Sequence, residues 1–244
     1  MPEGPSIILV KEATAKFAGK KIIAVSGNSK IDQRILLDKD IIEFKSWGKH
    51  FLICLDGLTL KVHFLMFGSY TIDEKKPDRA IRLNLTFENG EINFYTCSVK
   101  YLEGDLNKYY DWSADVMNDQ WNKQKAKAKL KAISGELICD ALLEQDIFAG
   151  VGNIIKNEIL YRVRVHPESI TGKIPAAKIN KLIDETRIYS FQFLDWKRTY
   201  ELKKHWLAHT KKICLRCNLP FINKQTGLKK RRSFICSNCQ NLYI

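Results

Sequence analysis

From Ile22 to about Tyr95 apolar and polar residues alternate in short segments: "KIIAVSG", "DIIEFKSWGKHFLICLDG", "LTLKVHFLMFGSYTI" and "IRLNLTFENGEINFYT". A period of two broken by "DG" and "NG" predicts antiparallel strands joined by hairpins, folding into a sandwich or barrel. Ahead of them, helical spacing from about Ile7 to Phe17 predicts a short helix that stops at Gly19. After "YYDWSADVMND" the pattern changes. "QWNKQKAKAKLKAISGELICDALLEQ" spaces its Ala, Leu and Lys as a helix does, so a boundary falls near residues 112 to 120. "GNIIKNEILYRV", "PAAKINKLIDETRIYSFQFLDWK" and "YELKKHW" read as further helices, and the whole chain as an α+β protein.

Composition adds a partner to this outline. Lys and Arg number 40 against 27 Asp and Glu, a net charge of +13 in 244 residues. From Trp196 onward twelve Lys and Arg face Glu201 alone. An excess gathered into one segment fits a polyanion better than general solubility does. No apolar run approaches the roughly 20 residues of a membrane span, and no secretory pattern opens the chain, so a cytoplasmic protein is expected.

Cysteine usage sharpens the C-terminal end. Cys54, Cys97 and Cys139 lie among apolar neighbours and read as buried small hydrophobes. "CLRC" (Cys214, Cys217) and "CSNC" (Cys236, Cys239) each set two thiols two residues apart, so two tight turns can present four sulfurs to one structural Zn²⁺. His205 and His209 are alternative ligands only in principle. Between the pairs, "NLPFINKQTGLKKRRSFI" reads as two strands around a "TG" turn with Lys229, Lys230, Arg231 and Arg232 at the return, a charged finger suited to a phosphate backbone. Upstream, Gly150 and Gly152 flank Val151 ahead of Asn153 at a helix start, where free N–H groups favour an anion; glycine turns before helices are also common without one.

"PEGP" at the N-terminus, "WGKHFL" on an early hairpin, "ALLEQDIFAGVGNIIKNEILYRVRVHPES" and the finger ending "RRSFICSNCQ" together resemble the formamidopyrimidine-DNA glycosylase and endonuclease VIII family over nearly the whole chain. The resemblance implies an N-terminal β-sandwich catalytic domain with a flanking helix over 1–115, a helix-two-turns-helix domain over 116–210 and a zinc β-hairpin finger over 211–244. It implies an expected monomer that binds damaged double-stranded DNA at the nucleoid, excises oxidised bases and nicks the abasic site. Removal of Met1 would free the secondary amine of Pro2 as nucleophile, with Glu3 as the adjacent acid/base. An α-amine with a pKa of roughly 8 keeps a neutral fraction at physiological pH. Lys49, Asn153 and Arg231 match the family's phosphate ligands. Leu65, Met66 and Phe67 align with the loop that fills the gap left by the extruded base, though the same alternation reads equally as a buried strand.

Some positions depart from the family pattern. Ser6 stands where relatives carry an acid, and "CSVKYLEGD" where they carry an Arg-Phe pair, with Lys100 and Tyr101 only approximate substitutes. The finger loop is two residues longer than usual, so Arg232 can replace Arg231. "PEGP" and the short stretch from Phe193 to Cys214 look closer to the endonuclease VIII branch, which favours oxidised pyrimidines. The alternative is a damaged-DNA-binding paralogue that has lost catalysis. An unrelated zinc-finger regulator fits less well, because a regulator gains nothing from a free proline.

Overall fold

The computed structural model describes residues 2–244, which divide into two compact units with the boundary between Tyr110 and Asp111. In the first, helix α1 (Gly4–Thr14) starts three residues earlier than its apolar spacing suggests. Pro5 sits in the first turn, where a missing N–H costs nothing, so only Pro2 and Glu3 stay extended before the helix.

Six strands follow: β1 (Ala24–Ser26), β2 (Ile41–Trp47), β3 (His50–Leu55), β4 (Leu58–Ile72), β5 (Leu83–Phe87) and β6 (Gly90–Glu103). All pairings are antiparallel, in the order β1-β5-β6-β4-β3-β2. The two long strands explain how one sheet makes two layers. The first half of β4 pairs with the end of β6 (Leu60 opposite Tyr101). Beyond an irregularity between Phe64 and Ser69, its second half pairs with the start of β6 (Ile72 opposite Ile92). The layers meet across the core, with the Phe51 ring 6.1 Å and the Phe64 ring 6.2 Å from that of Phe94. Ile7, Val10 and Phe17 close this core from the helical side, and α1 packs on β2 and β3. β6 runs past Tyr95 to Glu103, so Lys100 and Tyr101 lie in a regular ladder opposite Lys61 and Leu60.

In the second unit the predicted helical stretch from Gln120 is three pieces, α2 (Lys123–Ala132), α3 (Ile138–Ala141) and α4 (Gln145–Phe148). The first break falls at Ser134–Gly135, poor helix formers. Helices α5 (Asn153–Val163) and α6 (Ala176–Arg198) pack on each other, and "YELKKHW" forms only a short 3₁₀ turn, Leu202–His205. The chain ends in a hairpin of β7 (Ile222–Thr226) and β8 (Arg231–Ile235). Among the described residues no helix is long and apolar enough to cross a membrane.

Candidate functional site

Pro2, Glu3, Lys49 and Leu65–Phe67 belong to the first unit; Asn153, Arg231, Arg232 and the four finger cysteines belong to the second. Pro2 is half-buried, and Glu3 is fully buried in extended conformation, its carbonyl accepting from the Ser6 N–H at 2.8 Å. Met1 lies outside the described residues. Lys49 occupies the two-residue turn between β2 and β3, where Trp47 pairs with His50 and Gly48 takes φ +53°, a value glycine adopts without strain. Beside that turn, His50 lies 5.3 Å from His63 and 5.7 Å from Tyr110, ring to ring. Burial foremost, then the charges of Lys61, His63 and Lys49, pushes His50 down to about 3, so it stays neutral and its Nδ1 is buried without a hydrogen-bond partner.

The buried-strand reading of Leu65–Phe67 fails. These residues sit at the β4 irregularity and are 46%, 52% and 71% exposed. Four residues, Leu65–Gly68, span the gap opposite Thr96 alone, which takes φ +49°, so the surplus chain is pushed off the sheet. A side chain at Gly68 would strike the Thr96 carbonyl at 2.8 Å. Three apolar side chains are thereby held in water on a braced bulge.

In the second unit, Gln145 braces the glycine turn: its Oε1 accepts from the Gly150 N–H at 3.2 Å and its Nε2 donates to the Val151 carbonyl at 3.2 Å. Asn153 opens α5, and its Nδ2 donates to the Arg232 carbonyl at 3.0 Å while its Oδ1 is buried without a hydrogen-bond partner. The helix start and the finger strand are thus joined. Arg232 is exposed and Arg231 half-buried; as neighbours on a strand they address opposite faces.

The four cysteines converge, with all four sulfurs within 4.8 Å of one another. Separations of 3.6 Å (Cys214 to Cys239), 3.3 Å (Cys217 to Cys236) and 3.6 Å (Cys217 to Cys239) are too long for disulfides. They approach the roughly 3.8 Å between sulfurs of a tetrahedral site with Zn–S near 2.3 Å. Burial pushes the Cys214 thiol up, but the Tyr161 hydroxyl at 3.2 Å and the backbone amides of Arg216 and Cys217 outweigh it and bring Cys214 down to about 6. The donor set and spacing fit one structural zinc ion. Neither histidine joins the cluster: His205 stacks on Trp196 at 4.2 Å, and His209 packs edge-on to Trp206 and Phe234.

Sequence reasoning passed over Lys156, Asn157 and Glu158, which are buried on α5. The Glu158 carboxylate accepts from the backbone N–H groups of Leu207, Ala208 and His209 at 2.8–3.1 Å, fixing the segment that leads into the finger. The signal available was apolar residues on every side of "KNE", which leaves a helix no polar face for solvent.

Two family models match the chain: the formamidopyrimidine-DNA glycosylase N-terminal domain over residues 1–98 and the formamidopyrimidine-DNA glycosylase H2TH domain over residues 113–188. The chain belongs to the formamidopyrimidine-DNA glycosylase and endonuclease VIII family. Endonuclease 8-like 3 of Xenopus laevis is 25% identical over 242 residues, 90% of this chain and 38% of that protein. The Bos taurus relative is 26% identical over 79% of this chain and 33% of its own length. The chain therefore spans little more than a third of these relatives. Formamidopyrimidine-DNA glycosylase of Carboxydothermus hydrogenoformans is 25% identical over 98% of this chain and 100% of its own. Among solved structures, a viral DNA glycosylase shares the fold with a TM-score of 0.85 at 19% identity, covering 98% of this chain and 100% of that one. So does Lactococcus lactis formamidopyrimidine-DNA glycosylase bound to DNA containing an abasic site, at 0.87 and 21%, covering 98% and 99%.

Proposed function

We propose that the protein is a DNA glycosylase and abasic-site lyase that removes oxidised bases, pyrimidines favoured, from double-stranded DNA inside the cell. The observation that carries this reading is the pairing of a buried Glu3 with Pro2 immediately before α1, in a chain whose first 98 residues match the family's N-terminal domain.

Once Met1 is removed, the Pro2 nitrogen is a secondary amine. Its lone pair attacks C1′ of the damaged nucleotide, the bond from C1′ to the base breaks, and the base leaves with a proton. Glu3 is the group that delivers and collects protons at the sugar. As the nitrogen's proton passes through Glu3 to the ring oxygen and the C1′–O bond breaks, an iminium ion, a cationic Schiff base, is left between Pro2 and C1′, an electron sink that acidifies C2′. Removal of a C2′ proton then expels the 3′ phosphate by β-elimination, and δ-elimination expels the 5′ phosphate. Water attacking C1′ would leave no such sink, which accounts for a chain that uses an amine.

Extruding the base costs a few kcal/mol. Lys49, Asn153 and Arg231 supply phosphate contacts that offset this cost and hold the bent duplex. Leu65, Met66 and Phe67 are the wedge, because apolar side chains already held in water gain from entering the stack. Zinc on Cys214, Cys217, Cys236 and Cys239 holds the finger in shape and takes no part in the chemistry. Preference for oxidised pyrimidines is supported by the short chain between Phe193 and Cys214, which leaves little material to cover a purine.

Excision and strand cleavage on duplexes carrying oxidised pyrimidines, 8-oxoguanine, formamidopyrimidines or an abasic site test the reading. The wild type is expected to cleave, fastest at oxidised pyrimidines, and Glu3→Gln to lose base excision by at least about 100-fold, the usual worth of a general acid/base. Tight binding of damaged duplex without cleavage of any substrate would favour the binding-only paralogue, for which Ser6 is the motivating departure.

A further inference from the structure

The finger hairpin has only two strands, so the edge of β8 turned away from β7 has no strand to pair with. Side chains of α5 cover it. The Arg232 carbonyl accepts from Asn153 Nδ2 at 3.0 Å, Asn157 Nδ2 at 3.1 Å and Lys156 Nζ at 3.3 Å. Two residues on, along the same edge, the Phe234 N–H donates to Asn157 Oδ1 at 3.2 Å. The Asn157 amide thus gives an N–H to residue 232 and takes one from residue 234, the pair of bonds that one residue of a parallel neighbouring strand would make. Its orientation is fixed from both sides, since a flipped amide would set N–H against N–H and oxygen against oxygen. Lys156, fully buried, also donates to Ser233 Oγ at 2.9 Å, and that hydroxyl lies 2.7 Å from Thr226 Oγ1 on β7.

A second clamp holds the hairpin turn. The Asp140 carboxylate of α3 accepts from the Leu228 and Lys229 N–H groups at 2.7 and 3.2 Å, and Lys229 pairs with Glu144. Gly227, at φ +70°, lies so close that a Cβ there would meet an Asp140 oxygen at 2.3 Å. Lys230 and Arg231 are the only residues between the two clamps.

We propose that Lys156 and Asn157 are positioning residues. They fix the register of β8 on α5, and so hold Arg231 and Arg232 at a set place beside Asn153, making helix start and finger one phosphate-gripping surface. This rests on the DNA-repair reading above. A simple structural role would cost folding stability, whereas a positioning role changes how many phosphates the folded protein neutralises.

The test uses the full zinc-loaded chain with Asn157→Leu, which changes no charge, and Lys156→Met, which keeps most of the volume. Affinity for a duplex carrying a reduced, uncleavable abasic site is measured across a salt series well below the unfolding temperature. Both variants are expected to keep one equivalent of zinc, to bind about tenfold more weakly, and to show a shallower salt dependence by about one phosphate contact. Adding Arg231→Ala to Asn157→Leu is expected to cost little more, because the arginine is already out of place. Unchanged affinity and salt slope, or losses that simply add, would overturn the proposal. If Asn157→Leu loses zinc, Lys156→Met decides. A wild type with no preference for the abasic duplex would remove both this proposal and the function it rests on; preference in the wild type with unaffected variants removes the positioning role alone.

Discussion

Both units are built on apolar cores but differ in where their polar groups lie. The first is held by an apolar core, and its candidate chemistry sits at the margins: Pro2 and Glu3 before α1, Lys49 on a turn, Leu65–Phe67 on a bulge. The second has an apolar core as well, Ile155, Ile159, Leu182 and Phe193 among it, and adds Asn153, Lys156, Asn157 and Glu158, all buried on one helix, with a four-thiol site beside it. An apolar core tolerates repacking at fixed volume, while a buried polar network is costly as soon as one partner is lost. The first unit should therefore fail gradually and the second abruptly.

Removing the metal is the strongest way to break this contrast. Structural zinc contributes about 10–16 kcal/mol in small metal-folded domains, so chelation should unfold the finger hairpin. Amide exchange is expected to show loss of protection in β7, β8 and the start of α5, with the strands β2 to β6 unaffected. Equal loss in both units would erase the distinction.

A cavity in the apolar core comes next. Phe94 is fully buried against Phe51 and Phe64, and Phe94→Ala should destabilise the first unit by about 3–5 kcal/mol. Zinc content should stay at one equivalent. Thermal denaturation with metal analysis checks both halves of this statement.

Acid is a third test. Burial first, then Lys61, His63 and Lys49, holds His50 down to about 3, and burial, then Lys156, holds His209 down to about 4. Unfolded histidines take up protons near 6.5, so below that pH the unfolded state binds more protons and stability falls as pH drops toward these folded values. His50→Gln should flatten that decline in the first unit, read from the β3 amides, and leave the His209 contribution in the second. A melting temperature constant from pH 6.5 to 4 would contradict the assignment.

Legibility followed the same divide. Alternation exposes a strand's buried face directly, so the hairpins from Ile41 to Phe87 could be read from pattern and turns. The bulge at Leu65–Gly68 could not, because it depends on where β4 and β6 change partners, a long-range fact that no local window contains. The four cysteines announced themselves by spacing. Lys156 and Asn157 did not: each reads as a solvent residue until β8 is laid against them, since their value comes from unpaired peptide groups some 75 residues away in sequence. Asn153 was singled out for an anion, and its tie to the Arg232 carbonyl was invisible for the same reason.

In the proposed reaction the Pro2 nitrogen is the nucleophile. Borohydride reduction of Met1-processed protein with abasic-site duplex, followed by mass mapping of the adduct, tests it most directly. The expected result is one covalent link on the N-terminal peptide at Pro2, absent when an extra residue is left ahead of Pro2. An adduct on a lysine, or undiminished trapping by the blocked chain, would contradict it.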